Sequence, residues 1–149
     1  MGNRRRAREL ALQTLYAFEF GNRSLDEALE DMRGRAAEPP SDDEDIGLQV
    51  RGNDEVQQFA EGLVRGVLEH RDGIDELLGQ YSTNWKVNRM ALVDRNILRM
   101  ATFELRYMQE IPPKVTLNEA VEIAKRYGSR DSGAFINGIL DRIASLPQP

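Results

Sequence analysis

The chain has 149 residues, no cysteine, one histidine (His70), and 25 acidic against 20 basic residues, for a formal net charge of -5. It is long enough for a single domain over 1–149 with a substantial core. It excludes disulfides, cysteine nucleophiles and any metal site that needs two imidazoles.

The first ten residues, MGNRRRAREL, carry +3 through Arg4, Arg5, Arg6 and Arg8 against Glu9. Apolar residues Ala7, Leu10, Ala11, Leu15 and Phe18 then recur at helical spacing, which predicts a helix over about 3–20, ended by Gly21 and Asn22. Ser24-Leu25-Asp26-Glu27 has the form of a capping box and opens a short helix marked by Leu25, Ala28, Leu29 and Met32. Residues 34–53 lose the period. Two prolines, three glycines and an acidic run predict a loop there, read as a solvated insertion or, less economically, as a cation or partner site.

Val56, Phe59, Ala60, Leu63, Val64, Val67 and Leu68 form a clean amphipathic helix. A short helix is predicted over 73–81, followed by a turn at Ser82-Thr83-Asn84-Trp85. The stripe Met90, Val93, Ile97, Met100, Ala101, Leu105, Met108 gives a long helix that stops at Ile111-Pro112-Pro113. Thr116-Leu117-Asn118-Glu119 reads as a second capping box, with Gly128 as a left-handed C-terminal cap. A last helix over 131–145 carries Phe135, Ile136, Ile139, Leu140 and Ile143. The sum is an all-α chain of seven helical segments with short links, a compact bundle.

The charge is uneven: residues 26–45 carry -7, and what lies outside 1–10 and 26–45 carries only -1. Screening limits reach to about 8 Å at physiological salt, so the basic end can attract phosphate despite the negative total. Arginine suits RNA because its fork bridges phosphate oxygens and its plane stacks on bases. The plainer reading of the cluster is a solubilising terminus. No phosphate loop, GxGxxG, HExxH or GxSxG is present, and His70 reads as a surface residue near a helix end, so no catalytic site and no cofactor are expected. No signal sequence or membrane-spanning run is visible, which gives the expectation of a cytoplasmic protein.

Three stretches carry a resemblance: RRRARELALQTLYAFEF (4–20), VDRNILRMATFELRYM (93–108) and IPPKVTLNEAVEIAKRYGSRDSGAFINGILDRI (111–143). They resemble the NusB family of bacterial transcription antitermination factors. The resemblance implies two helical sub-bundles, no catalysis, binding to the single-stranded boxA element of ribosomal RNA transcripts, and a heterodimer with NusE (ribosomal protein S10) acting on RNA polymerase. It implies RNA-binding roles for Arg4, Arg5, Arg6, Arg8, Asp131 and Phe135, and NusE-binding roles for Tyr16, Phe20 and Asp94. Periodicity alone makes Phe135 a core residue, whereas the resemblance makes it a stacking platform. Asp131 competes with Ser129 for the role of N-cap. Some members of the family form homodimers, so self-association is a further expectation. The rival reading is a helical protein-interaction module without intrinsic RNA binding.

Overall fold

The computed structural model describes residues 2–21, 23–36, 46–82 and 86–147, with side chains outside 35–36 and 46–53. Among the described residues there are seven α-helices: α1 (Asn3–Phe18), α2 (Leu25–Ala36), α3 (Ile46–Glu69), α4 (Arg71–Tyr81), α5 (Leu92–Tyr107), α6 (Pro113–Tyr127) and α7 (Ser132–Ala144). One 3-10 turn, Val87–Arg89, precedes α5, and no strand occurs among the described residues. The chain divides into two compact units, Met1–Arg65 and Gly66–Pro149.

In the first unit α1 packs on α2. The buried apolar residues recur one helical turn apart, Ala7, Ala11 and Leu15 on α1 and Ala28, Leu29 and Met32 on α2. The first capping box forms as its sequence predicts. Ser24 Oγ accepts from the Glu27 amide at 3.1 Å, and Glu27 Oε1 accepts in return from the Ser24 amide at 3.4 Å. Arg33 Nε donates to Glu61 at 2.8 Å, and this contact raises the Arg33 pKa above its ordinary value.

The loop expected over 34–53 is corrected at both of its ends. Residues 34–36 belong to α2 and 46–53 to α3, while 37–45, with both prolines, and Trp85 lie outside the described residues. Helix propagation explains the difference. Once the amphipathic segment from Val56 is helical, adding residues is cheap, and each glycine costs only about 1 kcal/mol.

In the second unit α5 is central and packs against α4, α6 and α7, and α6 packs on α7. Leu78, Ile97, Leu98, Ile123, Ile136, Leu140 and Ile143 are fully buried. Polar links fix the helices laterally. Arg99 on α5 holds both carboxylate oxygens of Asp75 on α4 at 2.8 Å. Arg142 on α7 donates to the Tyr81 carbonyl at 3.0 Å.

Two capping expectations are corrected here. Helix α6 begins at Pro113 with Pro112 as N-cap, not at the Thr116 capping box. Proline at the first helical position loses no hydrogen bond and arrives with the right φ. Thr116 is thereby carried inside the helix, where its hydroxyl donates to the buried Glu104 carboxylate at 3.0 Å. Gly128 is not left-handed: its φ is -95° and ψ -168°, an extended exit. Glycine is required there for space, because a Cβ would sit 2.8 Å from the Ala124 carbonyl oxygen and 2.5 Å from Ser132 Oγ.

Thr102, fully buried on α5, has a hydroxyl with no hydrogen-bond partner among the described residues. Burying an unsatisfied hydroxyl costs about 1–3 kcal/mol, and valine has nearly the same shape. Thr102→Val is expected to raise the melting temperature by about 2–4 °C per kcal/mol recovered. A lower melting temperature by calorimetry would show that the hydroxyl is needed.

Candidate nucleic-acid and partner interfaces

The basic segment lies in the first two turns of α1, with no acidic residue in the first turn. Cations at a helix N-terminus oppose the helix dipole, so an anion placed there is favoured. Arg4 is exposed, Arg5 and Arg6 are half-buried, and Arg8 is only 3% exposed. Residues 4 and 8 are one turn apart and share a face. Both guanidinium carbons stand over the Phe59 ring on α3, at 4.8 Å and 5.3 Å from its centroid. Asn3 Nδ2 donates to Glu55 Oε2 at 3.3 Å, one turn before Phe59. The sequence shows the arginines but not Phe59, which reads simply as part of the apolar stripe of α3.

Tyr16 and Phe20 form an exposed aromatic pair at the other end of α1. They are 39% and 65% exposed, with centroids 5.0 Å apart and planes inclined by 59°. Exposed paired aromatics of this kind suit contact with another surface.

The second unit holds a cavity of about 290 Å³. Its lining brings together Asp94 from the first turn of α5 with Asp131 and Phe135 from the start of α7. Asp94 is 9% exposed, and its Oδ1 has no hydrogen-bond partner among the described residues. The α5 N-terminus favours a carboxylate there, which offsets part of the cost of the unpaired oxygen. Asp131 occupies the N-cap position of α7 yet makes no side-chain cap. Ser132 supplies the local bonding instead, its Oγ accepting from the Ser129 amide at 2.9 Å. The Asp131 carboxylate is exposed, and Phe135 is half-buried, neither sealed in the core nor fully in solvent. Sequence reasoning missed Arg89 and Met90, which also line the cavity and come from the turn before α5.

His70 precedes α4 and stacks on Tyr107 at 4.2 Å between centroids. No group of three or more potential metal-ligating side chains occurs among the described residues. No helix among them is long and apolar enough to cross a membrane.

The profile of the NusB family matches residues 5–145. The chain is 50% identical over 146 residues to the transcription antitermination protein NusB of Desulforapulum autotrophicum, covering 98% of this chain and 94% of that one. It is 46% identical over 144 residues to the protein of the same name from Myxococcus xanthus, covering 97% and 96%. Among solved structures, it is similar to NusB of T. maritima with a TM-score of 0.78 at 39% identity, covering 98% and 93%. A chain from a complex of antitermination factors NusB and NusE with dsRNA shares the fold, with a TM-score of 0.78 at 22% identity over 97% of both chains.

Proposed function

The chain belongs to the NusB family, and from that premise we propose that it is a non-enzymatic, cytoplasmic transcription antitermination factor. It binds boxA RNA together with NusE and so helps RNA polymerase resist termination. The observation that carries the reading is the cationic start of α1, where four arginines stand in the first two turns and no acid stands in the first.

In this reading Arg4, Arg5 and Arg6 meet phosphates. Arg8, buried at 3% exposure, supports them from within. Phe135 offers one ring face to a base, and the exposed Asp131 carboxylate accepts a hydrogen bond from a base edge, since an acid would repel phosphate. Tyr16 and Phe20 give NusE an apolar patch, and Asp94 gives the interface an acidic position. The relatives' names support the antitermination role, and the fold shared with a chain from a NusB–NusE–dsRNA complex supports the RNA and NusE assignments.

The test is a titration of boxA RNA and a scrambled control, with the protein alone and with NusE, over a range of salt. Three arginine–phosphate contacts to single-stranded RNA predict a slope of log affinity against log salt of about -2, and a fourth from Arg8 would bring it to about -3. Equal affinity for both RNAs in both conditions, or affinity independent of salt, overturns the reading. Absence of RNA binding in either condition favours the helical protein-interaction module. Light scattering tests the Tyr16–Phe20 patch: a homodimer unchanged by NusE would assign the patch to a second copy of the chain.

A further inference from the structure

We infer that Phe59 is a positioning residue for the basic segment, one that presents Arg4 to RNA in a fixed place; this rests on the RNA-binding reading above. The two arginines approach a single ring from one helix face, Arg4 Cζ at 4.8 Å and Arg8 Cζ at 5.3 Å from the centroid. Two like charges one turn apart repel each other. The electron-rich ring face offsets part of that repulsion, because each guanidinium is attracted to the ring quadrupole. The ring contact itself occupies no N–H donor of Arg4, the exposed member of the pair, and leaves its fork available to bridge phosphate oxygens.

The depth differs between the two arginines. Arg8 is 3% exposed, while Arg4 is exposed and Phe59 half-buried. The ring thus joins a cation at the surface to one beneath it. The Asn3–Glu55 hydrogen bond at 3.3 Å fixes the helix start on the same side of α3, one turn away. An exposed arginine ordinarily gives up much rotamer freedom when it grips a phosphate. One already resting on a ring gives up less, and this preorganisation becomes affinity.

The experiment compares the unchanged protein with Phe59→Leu and Phe59→Tyr in titrations of the same boxA RNA at several salt concentrations. Phe59→Leu keeps an apolar side chain of similar reach but removes the quadrupole. It is expected to weaken RNA binding about five-fold and to make the salt slope shallower by about 0.7, one phosphate contact. Phe59→Tyr is expected to restore both. The arginine side-chain proton resonances should move downfield in Phe59→Leu as the ring current is lost. A general loss of stability would lower the melting temperature without changing the slope. Unchanged affinity and slope in Phe59→Leu would overturn the inference while leaving RNA binding intact. An unchanged protein that binds no RNA would overturn the underlying reading, and this inference with it.

Discussion

Changing Arg4, Arg5 and Arg6 together to alanine is expected to lower boxA affinity about 100-fold at physiological salt. The estimate takes about 1 kcal/mol for each screened arginine–phosphate contact, with 1.4 kcal/mol equal to a factor of ten. The salt slope should fall from about -2 towards zero, and binding to any RNA should weaken alike, because phosphate contacts carry no sequence. Helix α1 should persist. Alanine is the strongest helix former, and the change removes cations from the positive end of the dipole. Phe135→Ala provides the contrast: a loss of about 1–3 kcal/mol from base stacking, with the salt slope retained. If the triple variant bound boxA as tightly as the unchanged chain, the basic end would not be the RNA contact.

The largest expected effect on stability is that of Leu98→Ala. Leu98 lies at the middle of α5 with no exposed surface, and α5 packs against three other helices of the second unit. Arg99, one residue on, ties α5 to Asp75 of α4. A cavity that the surrounding helices do not close costs about 3–5 kcal/mol. At about 2–4 °C for each kcal/mol in a chain of this size, the melting temperature should fall by about 6–20 °C. A drop of under 3 °C in calorimetry would show that the surrounding helices collapse into the space.

The parts of this molecule that depend on local sequence were legible, and the parts that depend on distant chain were not. Ser24 and Glu27 satisfy each other's amides across three residues, so the capping box could be read directly. The same pattern at Thr116–Glu119 misled, because Pro113 three residues earlier starts the helix and Glu104 on another helix takes the Thr116 hydroxyl. Gly128 reads as a left-handed cap, but it ends the helix in an extended conformation. Its glycine answers to the Ala124 carbonyl and Ser132, a steric demand that no propensity reveals. The arginines of the candidate RNA site are visible as a charge cluster. That Arg8 is buried, and that Phe59 takes both Arg4 and Arg8, follows from how α1 meets α3. Asp94 and Asp131 are 37 positions apart, and only the packing of α7 beside α5 lines one cavity with both.

The unpaired oxygen of Asp94 is also a standing cost in the folding of the second unit. Buried without a donor among the described residues, it forfeits about 1–3 kcal/mol, a factor of about 5 to 150 in the folding equilibrium. Any rearrangement at the start of α5 that brings an N–H or O–H to this oxygen recovers that energy, so the local packing is biased towards such a change.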